Sequence, residues 1–362
     1  MRPARWATAC ALTLLTALAP AVAAPAMARS APPADPLAVY TGTLDAAQFA
    51  RLRAAGVDAG ELTSTPAGAG AAVETILSHR QADRLIAAGV PLVVKRTTPS
   101  MLSRSAAAPT VFRPYDAPGG LRDELVATAA RFPGITKLET IGKTLRGVPI
   151  QAIKVTKGAR ALADGRRPAV LFLSAQHARE WITPEMTRRL LHHVLDGYAT
   201  DPALTRLVDT TELWFLPVAN PDGYDYTFTE GNRLWRKNLR DNNGDGQITS
   251  GDGVDLNRNF AEKWGYDNEG SSDDPGSETF RGARAGSEPE TQALDTLFHK
   301  VGFEFLVNYH SAAQLLLYGI GWQVSTPSPD DQIAVAMAGD DAHPAVPGYD
   351  PDISAELYTT NG

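Results

Sequence analysis

A histidine and a glutamate three residues apart, His177 and Glu180, follow a solid apolar run at residues 169–173 (Ala-Val-Leu-Phe-Leu). Imidazole and carboxylate together suit zinc, and a catalytic zinc keeps three protein ligands and one open position. The spacing lets both side chains converge on one ion if the chain turns there. Such a pair also occurs by chance in many helices, so a third ligand is required. His310 is the candidate, because it ends its own apolar run, residues 303–309, just as His177 follows another. Parallel strands would bring both ends to one edge of a sheet, where open α/β folds build their sites.

The elements that must position these residues follow from periodicity. Residues 169–173 are an apolar run that reads as a buried strand, and 212–218 and 303–309 read as further strands. Met186, Leu190, Leu191, Val194 and Leu195 recur at helical spacing just beyond the motif. Residues 121–132 read as another amphipathic helix, and 135–141 and 150–155 as strands joined across 142–147. Helices alternating with apolar strands from Val111 onward imply an α/β domain with a mixed, mostly parallel sheet flanked by helices. Ahead of it, residues 37–96 form a smaller unit. Arg51-Leu-Arg-Ala-Ala-Gly-Val57 and Arg84-Leu-Ile-Ala-Ala-Gly-Val90 are near copies, which suggests a βαββαβ layout. This unit holds no clustered metal-binding or nucleophilic groups; it reads as a pro-segment covering the site, or as a folding aid or simple accessory domain. Residues 97–110, rich in Ser, Thr and Ala, read as a linker and a place for proteolysis at Arg104.

The 362 residues are long enough for two domains, and 43% hydrophobic with 21% charged residues is ordinary for a folded protein. A formal charge of −7 gives no support for nucleic-acid binding. Arg2 and Arg5, the apolar run 7–19 and small residues at 21–23 and 26–28 make residues 1–28 a signal peptide. Pro20, and the absence of another such run, argue against a membrane anchor. The expectation is a secreted, extracellular monomer that leaves the membrane once the signal is removed. The only cysteine is Cys10, inside that segment. A mature chain without cysteine must build any transition-metal site from histidine and carboxylate.

Five blocks carry a resemblance: Gln176-His-Ala-Arg-Glu-Trp-Ile-Thr183, Val218-Ala-Asn-Pro-Asp-Gly-Tyr224, Leu234-Trp-Arg-Lys-Asn238, Gly253-Val-Asp-Leu-Asn-Arg-Asn-Phe260 and Asn308-Tyr-His-Ser311. In this order and spacing, residues 111–362 resemble the zinc metallocarboxypeptidase family, secreted enzymes of carboxypeptidase A type. The resemblance implies hydrolysis of the C-terminal peptide bond of peptides and proteins by zinc-activated water. It implies one Zn2+ held by His177, Glu180 and His310, with Asp255 orienting His177. Asn257 and Arg258 would grip the substrate's terminal carboxylate, Arg236 would stabilise the oxyanion, and Arg179 would assist at a neighbouring subsite.

Two features stand apart from that pattern. Residues 241–252 fit a calcium loop, with Asp241, Asn243 and Asp245 as oxygen donors and Asp252 at position twelve, where a glutamate is usual. The bland reading is a turn that shapes the loop before Asp255. The family also uses a glutamate base and a mobile tyrosine beyond the third zinc ligand. Glu356 and Tyr358 do not match them, so both are expected beyond residue 362 and the domain is expected to be truncated. The alternatives are a non-catalytic metal- or peptide-binding relative, or an amidase acting on cell-wall peptides at the same site.

Overall fold

Capping chemistry shapes the N-terminal elements: strand β1 (Leu37–Leu44), helix α1 (Ala46–Ala54), β2 (Thr63–Ala67), β3 (Gly70–Ser78), α2 (His79–Ala87) and β4 (Val93–Val94). Both helices open on the same device. Asp45 and Gln48 exchange side-chain-to-backbone hydrogen bonds, and Ser78 and Gln81 do likewise, satisfying amides that the first turn leaves unpaired. The strands pair antiparallel in the order β2-β3-β1-β4. Leu52, Ala82 and Leu85 cover one face, against Tyr40, Leu44, Val73 and Leu77.

The computed structural model describes residues 35–58, 62–95 and 111–362, and Asp35–Gly362 hold together as one unit. The expected signal peptide and the 97–110 linker with Arg104 lie outside the described residues. No helix among the described residues is long and apolar enough to cross a membrane.

From Leu121 the elements run α3 (Leu121–Arg131), β5 (Thr136–Lys143), β6 (Pro149–Val155), β7 (Ala169–Ser174), α4 (Ile182–Gly197), α5 (Pro202–Thr210), β8 (Glu212–Leu216), α6 (Pro221–Tyr226), α7 (Pro289–Val301) and β9 (Phe305–Tyr309). Their five strands lie in the order β5-β6-β8-β7-β9. The sheet is mixed, as expected, but it is not mostly parallel. β5 with β6 and β6 with β8 are antiparallel, whereas β8 with β7 and β7 with β9 are parallel. The reason is the short turn between β5 and β6, which allows only a hairpin, while the parallel half is reached through helices.

Alternation sorts the strand residues into two cores. Ile150, Ala152, Leu171, Leu173, Trp214 and Leu216 meet Leu294 and Leu297 of α7. Ile153, Val155, Leu213 and Phe215 face Leu125 and Ala129 of α3 and Leu191, Val194 and Leu195 of α4. Central strands covered on both faces explain why β7 and β8 read as unbroken apolar runs. The chain continues through β10 (Leu315–Tyr318), α8 (Asp331–Ala338), β11 (Gly339–Asp340), β12 (His343–Pro344), β13 (Asp350–Ile353) and α9 (Ser354–Leu357). β10 and β13 pair in parallel.

Leu171 has no exposed surface and sits at the centre of the α7-side core. Leu171→Ala is expected to cost about 2–5 kcal/mol through lost burial and a residual cavity. Denaturant melts check this, and a loss under about 1 kcal/mol would mean the layer can close over the gap.

Candidate metal centre

The apolar face of β7 stops at Ser174, and the next residue turns the chain sharply. Ala175 has φ 50° and is fully buried, a left-handed conformation that surrounding bonds must hold. Its N–H donates to Thr183 Oγ1 at 3.2 Å, and its carbonyl accepts from Asn220 N–H at 3.1 Å. Asn220 Nδ2 donates to the carbonyls of Gln176 and Lys237, both at 3.1 Å. This bracing delivers His177 and Glu180 on a tight turn before α4.

Three donor groups converge there. His177 Nδ1 lies 2.9 Å from Glu180 Oε1 and 3.0 Å from His310 Nδ1, and His310 Nδ1 lies 3.3 Å from Glu180 Oε2. All the ligand atoms fall within 4.8 Å of one another. The His177 and Glu180 side chains are buried, while that of His310 is about one-third exposed. Two imidazole nitrogens facing one another at this distance share at most one proton, and Glu180 Oε2 is buried without a hydrogen-bond partner. A divalent cation satisfies all three corners, so the donor set fits zinc. Without metal the ring takes up a proton instead. Burial and the Arg236 charge push His177 down, but Glu180 and Asp255 outweigh them and raise it to about 9. Glu180 is held low by His177 and His310 against the opposing effect of burial.

Asp255 joins this group to a pair of arginines. Its Oδ1 lies 3.2 Å from His177 Nε2 and accepts Asn257 N–H at 2.9 Å. Oδ2 accepts from Arg236 Nε at 3.1 Å and Nη2 at 2.8 Å. Asp255 is fully buried, yet Arg236 and His177 hold its carboxyl well below the usual range against burial. Bound this way, Nε2 carries the proton and Nδ1 points at the ion site.

Asp58 was absent from the sequence-based candidates, and the fold brings it to the same place. Its Oδ2 accepts from Arg236 Nη2 at 2.6 Å and from Arg258 Nη2 at 3.2 Å. Burial raises its carboxyl, but the two arginines reverse this and hold it low. One signal for it existed in the repeat: the first copy continues Val57-Asp58 where the second continues Val90-Pro91. Asp58, His177, Glu180, Asn257, Arg258 and His310 line one cavity of about 690 Å³.

The remaining candidates divide. Asn257 and Arg258 lie at this cavity, Arg258 also donating to the carbonyls of Gly270 and Asn257. Arg179 donates to Glu278 Oε2 at 2.7 Å and to the carbonyl of Leu234 at 2.9 Å. The calcium loop finds no support. Asp241 accepts backbone N–H groups of Gly244, Asp245 and Gly246, and Asp245 accepts from Gln247 N–H and from Asn243. Asp252 is fully buried and accepts from Asn242, from Thr249 N–H and from its hydroxyl. These carboxylates, with Asn243, brace their own loop, and the one cluster of histidines and carboxylates suited to a metal among the described residues is His177, Glu180 and His310. Glu356 is exposed, whereas Tyr358 lines the metal cavity with its ring 5.9 Å from Arg258 Cζ.

A mixed α/β sheet thus presents two imidazoles and a carboxylate that could hold a metal ion, beside two arginines that share the Asp58 carboxylate. The family profile described as zinc carboxypeptidase matches residues 121–362, and the chain belongs to that family. A metallocarboxypeptidase A-like protein of Trichophyton verrucosum (strain HKI 0517) is 36% identical over 236 residues, covering 63% of this chain and 53% of that protein. Carboxypeptidase A4 of Mus musculus is 35% identical over 208 residues, covering 57% and 47% respectively. The chain spans about half the length of these curated relatives. The crystal structure of carboxypeptidase A from Helicoverpa armigera superposes with a TM-score of 0.68 at 24% identity, covering 91% of this chain and 84% of that one. Thrombin activatable fibrinolysis inhibitor gives 0.66 at 22%, covering 90% and 86%. Both show the same fold.

Zinc titration against a competing chelator is expected to give one ion per chain, lost in His177→Ala and His310→Ala. Asp255→Asn should keep the ligands but weaken binding roughly 10–100-fold, as for other groups that orient a ligating histidine. Wild-type affinity in Asp255→Asn would remove its assigned role.

Proposed function

We propose that the protein is a secreted, monomeric zinc carboxypeptidase that removes C-terminal residues from peptides and proteins, and that residues 37–96 act as its pro-segment. The observation that carries this reading is Asp58, a carboxylate held by Arg236 and Arg258 at the wall of the metal cavity. A site that grips a carboxylate beside a metal is suited to the free end of a peptide, which favours an exopeptidase.

The residue roles follow from charge and reach. His177, Glu180 and His310 would hold zinc, which when bound would supply Lewis acidity toward water and the scissile carbonyl. Arg258 and Asn257 bind the substrate's terminal carboxylate, the planar guanidinium matching its two oxygens. Arg236, released from Asp58, offers N–H groups to the carbonyl oxygen as negative charge develops there. Asp255 keeps the proton on His177 Nε2, so the nitrogen facing the ion stays a ligand. Arg179, released from Glu278, reaches the next residue of the substrate.

In the uncleaved chain Asp58 occupies the place of the substrate carboxylate and keeps the enzyme latent. Gly56 supports that placement: its carbonyl accepts from Thr279 Oγ1 at 2.9 Å, two residues from Asp58. Arg84 pairs with Asp274 at 3.2 Å and Ser250 Oγ donates to Asp35 at 2.7 Å, so the contact has several anchors.

Two measurements test these readings. Release of the terminal residue from blocked dipeptides is expected to vanish on chelation and in His310→Ala; activity that survives chelation would sink the zinc mechanism. A blocked dipeptide with a free carboxylate should bind Asp58→Ala about tenfold more tightly than wild type, or about 1.4 kcal/mol. Its amidated counterpart should gain nothing, and an equal gain for both would rule out carboxylate mimicry by Asp58.

A further inference from the structure

Backbone pairing between β7 and β9 ends at Ser174 and Tyr309. The two histidine donors stand beyond that last pair, on segments that leave the sheet in different ways. Ala175 turns into the left-handed region on one side, while His310 simply follows β9 on the other. Hydrogen bonds of the ladder therefore bring His177 and His310 near one another but stop short of both, leaving their final separation to other contacts.

A side-chain amide pair spans this gap. Asn308 Nδ2 donates to Gln176 Oε1 at 2.5 Å. Gln176 immediately precedes His177, and Asn308 stands two residues before His310. Gln176 is 1% exposed, and its carbonyl is already fixed by Asn220 Nδ2. The near end of the clasp is thus tied to the scaffold, and its far end holds the strand that carries His310. Gln176 Nε2 and Asn308 Oδ1 are both buried without hydrogen-bond partners. Leaving two amide atoms unsatisfied is unfavourable, and an apolar pair of the same shape would avoid it. The clasp therefore contributes through geometry rather than through net burial.

We propose that Asn308 is a positioning residue which, through Gln176, sets the separation of His177 and His310 and so the affinity of the site for zinc. This rests on the zinc reading of the site. Partners that orient metal ligands from outside the coordination sphere typically change affinity 10–100-fold when removed.

The test uses the full chain and zinc in competition with a chelator, with metal-free melting measured alongside. Asn308→Ala and Gln176→Ala are each expected to weaken zinc binding about tenfold, and the double variant no more than either single one. Metal-free melting should stay at the wild-type value. Asn308→Asp should retain wild-type affinity, because its carboxylate accepts from the Gln176 amide once that group turns over. Single variants that bind like wild type overturn the proposal. So do effects that multiply in the double variant, an Asn308→Asp as weak as Asn308→Ala, or a loss of affinity matched by an equal loss of metal-free stability. Wild-type chain that binds no zinc would instead overturn the zinc reading, with His310→Ala as the reference for an abolished site.

Discussion

Asp255 is an anion with no exposed surface, and burying one unpaired would be prohibitive. It is tolerated because three kinds of donor surround it: the His177 ring, the Arg236 guanidinium and the Asn257 backbone. That single carboxylate couples the metal ligands to the anion-binding arginines. It selects the imidazole tautomer on one oxygen and aims a guanidinium with the other. The short helical turn that follows (Leu256–Arg258), capped by Asp255, carries Asn257 and Arg258 towards the cavity. Charge, ring orientation and the placement of Arg236, Asn257 and Arg258 thus share one buried residue.

Around this hub the sheet divides its labour. The antiparallel half, β5-β6-β8, is a local hairpin structure extended by one strand. The parallel half, β8-β7-β9, requires helical crossovers and points its strand ends the same way. Only the latter can bring His177 and His310 together from positions 133 residues apart. Apolar layers above and below β7 anchor the strand that leads into the left-handed turn at Ala175.

What the chain discloses before folding depends on how local the cause is. His177 and Glu180 declare themselves because two donors able to share an ion lie on a single turn, and His310 because it ends an apolar run. β7 and β8 are readable because burial on both faces leaves four or five consecutive apolar residues in each, with polar Ser174 and Glu212 only at their ends. Asp58 shows in the sequence only as a break in the repeat, with nothing to mark it as part of the site. Its partners lie 178 and 200 residues away, and only a fold places it between them. The loop at 241–252 misled in the opposite sense, since carboxylates spaced like ion ligands also suit backbone amides in tight turns. The proportion of parallel pairing was misjudged for a related reason: an alternating strand does not state the direction of its neighbour.

The pairing of β9 with β7 also makes the ion a gauge of registry. A parallel strand advances about 3.3 Å per residue, whereas the donor atoms all lie within 4.8 Å of one another. A slip of one position would carry His310 most of the way out of reach and turn Asn308 to the opposite face. Occupancy of the site would then discriminate against chains whose edge strand had settled out of step, so metal capture would double as proofreading of the sheet.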